Sequence, residues 1–451
     1  MGLIELISKY STSGPRYTSY PTAPHWVPSV TNADYARALE RIRPGEPLAL
    51  YVHLPFCEKL CYYCGCNIQI TGDKSRSRSY VDTVLKEAEA VRRHLRDPEK
   101  ISQMSWGGGT PTFLTVQEMR DLYAGIRELW GFEEGAEISL EVDPRVTSDE
   151  QLVALRELGF NRVSLGVQDF NPQVQQAINR IQPAPDTAAM RARCRELGFE
   201  GVNFDLIYGL PFQTPASFDQ TIDRVLDMRP DRIALYNYAR LPSLLKHQSI
   251  LEKYPMPSAE DRVALFTGAF ERLVGEGYRA IGMDHFAVET DSLARSLAAG
   301  KLYRNFMGYT VKQGRHLLGL GASAISEAGG GFFQNVKKPQ EYEKAVMATG
   351  LVVQRGLLLS DEDRQRQWLI QRLLCHFGFD VGDFEREFNQ GFFEKFSDEW
   401  QRLAAFEEDG LLERQATRIG ITERGRLFIR NIAMVFDAYL AGGTSVYSKT
   451  V

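Results

Sequence analysis

The stretch VHLPFCEKLCYYCGCN holds Cys57, Cys61, Cys64 and Cys66, four of the chain's six cysteines. Cys57, Cys61 and Cys64 fall as Cys-x3-Cys-x2-Cys, short enough for one loop to turn three thiolates inward around one compact cofactor. Structural zinc usually draws on separated pairs of ligands that close a tetrahedron, and no matching Cys or His pair follows downstream. Thiolates are equally the standard ligands of iron–sulfur cubes. With Cys66 as a fourth ligand such a site is saturated, suited to structure or electron transfer. Without it, one iron stays open to a small molecule, and the spacing alone leaves both readings standing. A second stretch, WGGGTPT, offers three glycines through which backbone N–H groups can approach a carboxylate or amine. A helix starting just after it favours an anion. It lacks the Lys-Ser/Thr of a phosphate-binding P-loop. Cys194 and Cys375 stand alone and read as buried apolar residues.

The elements that must position these groups are legible. The runs PLALYVHLPF, ISQMSWGGG, EISLEVDP, RVSLGVQDF, GVNFDLIYGL and RIALYNYAR alternate with helical patterns such as SYVDTVLKEAEAVRRHL, TVQEMRDLYAGIREL, SDEQLVALRELG and TAAMRARCRELG. Repeated strand–helix units predict a parallel sheet, because parallel neighbours need crossover helices. Several strand ends are polar: Glu141, Asp143, Gln168, Asp169, Asp205 and Asn237. In α/β barrels the C-terminal strand ends form the active-site rim, although Asp143 and Asp169 serve equally well as turn formers or caps. Residues 1–46, with SGPRYTSYPTAPHW, read as an extended N-terminal arm. Residues 47–345 read as the barrel domain and 346–451 as a mostly helical C-terminal domain, which includes a small hairpin in LLERQATRIGITERG.

The chain has 451 residues, 43% hydrophobic and 25% charged, with 53 Lys plus Arg against 58 Asp plus Glu and a net charge of -5. That balance gives no electrostatic reason to expect nucleic acid or an anionic membrane as partner. MGLIELISKYSTSG has no cationic start followed by an apolar run, so no signal peptide is expected. No run of roughly 18 apolar residues predicts a membrane span. The expectation is a cytoplasmic protein, where clustered cysteines more often bind metal than form structural disulfides.

The cysteine motif, with Tyr63 before its last ligand, resembles that of the radical S-adenosylmethionine (SAM) enzymes. PRYTSYPTA, YVHLPFCEKLCYYCGCN, WGGGTPTFL, EISLEVDPR, GFNRVSLGVQDFNPQVQ, DLIYGLPFQT, IGMDHFA, GLGASAIS and RGRLFIRNI are together similar to the oxygen-independent coproporphyrinogen III oxidases, in the same order and over nearly the whole chain. The resemblance implies an α/β fold, a partial (β/α)6 TIM-like radical SAM barrel. It implies a [4Fe-4S] cluster on Cys57, Cys61 and Cys64, and two molecules of SAM. It makes Cys66 a required cysteine outside the cluster. Tyr51 and Glu141 are assigned to the first SAM, Glu141 through the ribose, and Ile325 contacts the same molecule. Gly108, Gly109 and Thr110 form a SAM-binding loop. Tyr63, Gly109, Thr110, Gln168, Arg180, Asp205 and Ala239 are assigned to the second SAM. His53, two residues beyond Tyr51 on the same strand face, is expected beside the cluster, with a satisfied core histidine as the alternative.

The implied substrate, coproporphyrinogen III, carries four propionates, so cationic groups in an apolar pocket are expected to bind it. Arg16, His285 and Arg304 lie in the shared motifs and are candidates. Tyr17 and Tyr20 are expected to let the arm close over the site. Met307 stands where many relatives carry Gln. An electron donor and acceptor are required but unidentified, and relatives imply a monomer. The rival readings are a haem chaperone or haem-utilisation paralogue on the same barrel and, from another class, a zinc-binding scaffold using all four thiolates.

Overall fold

The alternating strand and helix patterns do build strand–helix units in the computed structural model, which describes residues 2–96, 100–311, 316–440 and 447–450. The strands β1 (Leu48–Leu54), β2 (Ile101–Gly108), β3 (Phe132–Val142), β4 (Arg162–Gln168), β5 (Gly201–Tyr208) and β6 (Arg232–Asn237) lie side by side in chain order. Every neighbouring pair among them is parallel. The crossovers carry α1 (Ser75–Arg93), α2 (Val116–Leu129), α3 (Asp149–Glu157), α4 (Ala184–Glu196) and α5 (Pro215–Met228). The Ser148 hydroxyl accepts from the Gln151 amide and the Gln151 side chain accepts from the Ser148 amide, a reciprocal cap that starts α3. Leu48, Ala49, Leu50, Val52 and Leu54 are all buried, so β1 reads as a near-continuous apolar run, as a strand covered on both faces should.

The sheet is larger than the sequence suggested. Beyond β1, β7 (His316–Leu320) adds a parallel strand, and β8 (Ile325–Ala328), β9 (Gly331–Asn335) and β10 (Val353–Leu358) continue antiparallel. Glycine-rich LLGLGASAIS and GGGFFQN disguise these strands as loops. Gly319 lies so close to β8 that a Cβ there would sit 2.5 Å from the Ile325 carbonyl oxygen, so glycine marks a close approach of backbones.

The described residues fall into two compact units rather than three consecutive segments. One comprises residues 27–257 and 312–358 and holds the sheet just described. The other comprises residues 1–26, 258–311 and 359–451. The boundary of the expected arm moves for a physical reason. The helix Asn32–Glu40 belongs with the sheet, where the Tyr35 hydroxyl bonds Ser326 Oγ at 2.9 Å and its ring lies 4.8 Å from Phe333. Residues 1–26 instead join a largely aromatic core: Tyr10 stacks on Phe406 at 4.9 Å, and Tyr17 and Tyr20 are buried. In this second unit Gly378–Asp380, Arg418–Ile421 and Leu412–Gln415 form a three-stranded sheet containing the expected hairpin, and helices flank it. No helix among the described residues is long and apolar enough to cross a membrane.

Candidate active site

Parallel pairing sets the polar strand ends level with one another. Glu141 on β3 pairs with Ser164 on β4, Gly166 on β4 with Asp205 on β5, and Asp205 with Ala234 on β6. At the same end, the loop after β1 carries the cysteines. A cavity of about 600 Å³ opens there, within the roughly 300–1,000 Å³ usual for small-molecule sites. Its lining includes Cys57, Cys61, Cys64, Cys66, Tyr63, Gly108, Gly109, Thr110, Glu141, Gln168, Arg180 and Asp205. One cavity thus gathers the three expected cluster ligands and nine further candidates.

The cysteine loop is short of regular structure and is held by neighbours on several sides. Tyr62 N donates to Ile178 O, Asn179 Nδ2 to Leu60 O, Gln248 Nε2 to Tyr63 O, and His247 Nε2 lies 2.7 Å from Cys64 O. Each thiol of the motif also meets a polar donor. Cys57 Sγ is 3.5 Å from Thr110 Oγ1, Cys61 Sγ is 3.6 Å from Arg145 Nη2 and 3.8 Å from Arg180 Nη1, and Cys64 Sγ accepts from Cys66 N at 3.4 Å. Burial pushes the Cys57 thiol up to about 12, whereas the Cys66 side chain, helped by its backbone amide and by Arg180, brings Cys64 down to about 7 against burial.

Asp143 lines the same cavity and also shapes a turn, its carboxylate accepting from the Arg145 amide at 3.1 Å. Arg145 grips it through Nε at 3.0 Å and Nη2 at 2.6 Å, and Arg180 Nη1 reaches it at 3.1 Å. Burial would raise the Asp143 carboxyl, but the two guanidiniums more than offset this and hold it below the usual carboxylate range. Asp169 is cap-like as well: buried, it accepts from Gln213, Thr221 and the Asn171 amide. Arg180 is 6% exposed, and its Nε has no hydrogen-bond partner among the described residues. A buried donor beside a cavity implies an acceptor supplied from within it.

The glycine run works differently from the expectation. Gly107 and Gly108 complete β2, the turn Pro111–Phe113 follows, and α2 starts only at Val116, so no long helix points its N-terminus at Gly109. Gly109 N and Thr110 N donate to Leu54 O and Phe56 O, so these amides hold the start of the cysteine loop rather than a ligand. Room is what the glycines supply. A Cβ at Gly107 would lie 2.9 Å from the Glu141 carboxyl, one at Gly108 2.3 Å from the His53 ring, and one at Gly109 2.6 Å from the Pro55 backbone.

His53 sits behind that run and outside the lining. Its Nε2 is 2.8 Å from Asn67 O and its Nδ1 3.2 Å from the Tyr51 hydroxyl, so it braces the loop just past Cys66. Burial lowers its pKa. Tyr51 likewise stands beside the cavity on β1, paired with Gly319. Ile325 on β8 and Ala239 past β6 lie outside the lining as well, although Gln248 Nε2 links Ala239 O to Tyr63 O. Glu141 accepts from Gly108 N at 2.9 Å, and burial pushes its carboxyl up to about 7. Arg145, Ser164 and Gln248 were not among the expected site residues; Arg145 and Ser164 lie within EVDPR and RVSLGVQDF, whereas no quoted motif contains Gln248.

Sequence and structure comparisons place this site among known proteins. Residues 51–225 match the radical SAM superfamily, and residues 359–428 match the HemN C-terminal domain. The oxygen-independent coproporphyrinogen III oxidase of Pseudomonas aeruginosa is 43% identical over 97% of this chain and 95% of its own. The Escherichia coli enzyme of the same name is 42% identical with the same coverage. The chain belongs to the oxygen-independent coproporphyrinogen III oxidase family. The solved structure of the Escherichia coli coproporphyrinogen III oxidase HemN, described as a radical SAM enzyme, superposes with a TM-score of 0.92 at 40% identity, covering 97% of this chain and 98% of that one. Membership of this oxidase family implies a [4Fe-4S] cluster and SAM. The residues fit such groups. Cys57, Cys61 and Cys64 all line one cavity from a single short loop, the thiolate donor set an iron–sulfur cluster takes. The partnerless Nε of Arg180 suits an anionic carboxylate beside them.

The substrate candidates lie in the other unit. Arg304 Nη1 donates to Arg16 O and Tyr17 O at 2.8 Å each, so this nitrogen anchors the arm. The Tyr17 hydroxyl donates to Asp437 and the Tyr20 hydroxyl accepts from Ala438 N; the two rings are spent on the core of their own unit rather than extended from it. His285 Nδ1 is 2.7 Å from Asp284 Oδ1. Met307 fills a turn, its amide bonded to Asn305 Oδ1.

Proposed function

We propose that this chain performs the reaction that names its family: oxygen-independent oxidative decarboxylation of two propionates of coproporphyrinogen III to vinyl groups, giving protoporphyrinogen IX in haem biosynthesis. The observation that carries the reading is the convergence around one cavity of the three-thiol loop after β1, a buried arginine lacking a hydrogen-bond partner at Nε and the Glu141 carboxylate of β3. Bound in this cavity, the cluster and SAM would supply radical hydrogen abstraction at a propionate β-carbon, with an external donor providing the electron that starts it and an external acceptor taking the electron left as carbon dioxide departs.

The chain's own residues hold and shield this chemistry. Cys57, Cys61 and Cys64 are the cluster ligands. Cys66, which donates through its backbone to Cys64 Sγ, steadies that thiolate without binding iron. Glu141 accepts from the ribose hydroxyls of SAM, with Gly107 leaving space for its carboxyl. Arg180 pairs with a SAM carboxylate. Gln168 and Asp205, on the next strands of the rim, together with Tyr63 and Thr110, provide contacts for a second SAM. Gln168 adopts a φ of 67° where the β4–β5 register shifts, a strained conformation of the kind that collects at functional sites.

The test is an anaerobic assay with coproporphyrinogen III, SAM and a reductant, followed by porphyrin chromatography. Appearance of the divinyl product supports the reading; persistence of the tetracarboxylate with a full cluster present rejects it.

A further inference from the structure

The donors to the three thiols are unequal. Cys57 meets a neutral hydroxyl and Cys64 a backbone amide, whereas Cys61 faces two guanidiniums. Of these, Arg180 is occupied by Gly166 O at 2.7 Å and Asp143 at 3.1 Å and projects into the cavity. Arg145 is differently built. It comes from the turn after β3, its own amide bonds Asp143 Oδ1 at 3.1 Å, and its guanidinium is clamped by the same carboxylate so that Nη2 is aimed at Cys61 Sγ. The side chain is only 18% exposed, so water screens its charge weakly.

We infer that Arg145 is a positioning residue that sets the reduction potential of the cluster through the Cys61 sulfur. Adding an electron to an iron–sulfur cluster makes it more negative, and hydrogen bonds and cationic charge at a ligand sulfur favour that state. Arg145 therefore raises the potential and eases delivery of the electron. Asp143, by neutralising part of the charge and fixing its direction, holds the guanidinium at the cavity wall against Cys61. The inference rests on the reading of Cys57, Cys61 and Cys64 as cluster ligands.

The experiment is a redox titration, followed by electron paramagnetic resonance, of anaerobically reconstituted wild type, Arg145→Gln and Arg145→Lys, each with and without SAM. Iron and sulfide are assayed in every sample. Arg145→Gln is expected to keep full iron and to shift to a more negative potential in both conditions, with Arg145→Lys between it and wild type. A potential in Arg145→Gln equal to wild type overturns the inference. So does folded protein that loses iron in both variants, since Arg145 would then serve assembly, or a lysine variant that fails to fold, since the role would then be structural. Wild type that assembles no such cluster instead refutes the ligand reading on which the inference depends.

Discussion

Glu141 and Glu87 show what burial does to a single carboxyl. Glu141 is pushed up to about 7 by burial, with Asp205 and Cys64 adding to the shift and the Gly108 amide opposing it. A carboxylate accepts from a ribose diol better than the neutral acid does, so SAM affinity is expected to tighten as pH rises from 6 to 8, by up to about tenfold per unit below the pKa. Equilibrium binding to reconstituted protein checks this, and Glu141→Gln should bind more weakly, with the pH dependence flattened. Glu87, on α1, is buried among the Tyr342 hydroxyl, Gly321 N and Asn335 Nδ2, and burial raises it from 4.5 to about 7. The folded state then holds a proton that the unfolded chain releases above 4.5. The stability this contributes is full below 4.5 and lost as pH rises through about 7, on the order of 3 kcal/mol in all. Denaturation of wild type and Glu87→Gln at pH 5 and 7 should show their difference shrinking at the higher pH. An unchanged difference contradicts the assignment. At this scale the cysteines were legible because spacing within one loop is local information. The clamp of Arg145 on Asp143, and the bond from His53 to Asn67, were not, because each depends on where a turn delivers a side chain.

At the scale of elements, the glycine run separates what sequence can say from what packing decides. The pattern GGG announces a close approach, but not of what. Gly109 faces backbone atoms of Leu54, Pro55 and Phe56, the chain leading into Cys57. Backbone cannot yield as a flexible side chain can, so Gly109→Ala is expected to displace the loop and cost about 1–3 kcal/mol. Iron content after reconstitution should fall below half of wild type while circular dichroism stays unchanged; full iron uptake would show that the loop tolerates the methyl. The six parallel strands were readable from their β-branched runs and the helical patterns between them, and Ser148, the first residue of SDEQLVALRELG, caps α3. Strands β8 and β9 were not, since glycine there serves backbone contact and dilutes the strand signal.

Across the whole molecule, chain order misleads about which segments pack together. Residues 1–26 join residues 258–311 and 359–451, and no local pattern announces such distant partners. Arg430 is central to that union. It donates to Pro15 O at 2.9 Å, Lys449 O at 3.0 Å and Thr450 O at 3.3 Å, and also to Gly14 O. Several charge-assisted bonds on one buried group make Arg430→Ala destabilising by about 3 kcal/mol. Limited proteolysis should then cut within residues 2–26 at lower protease concentration than in wild type, and an unchanged digest contradicts the anchoring role. The family relationship extends over both units, because the matched relatives cover 97% of the chain. The proposed chemistry, however, is concentrated in the loop after β1 and the neighbouring strand ends. The central claim is therefore that the protein supplies three sulfur ligands to its cluster and leaves the remaining iron to SAM. Electron–nuclear double resonance on the reduced, oxygen-free protein, with isotope in the amino and carboxylate groups of SAM, tests it directly. Coupling between the cluster and the labelled atoms is the predicted result; a cluster ligated at every iron by side chains, with no coupling and no spectral response to SAM, would contradict it.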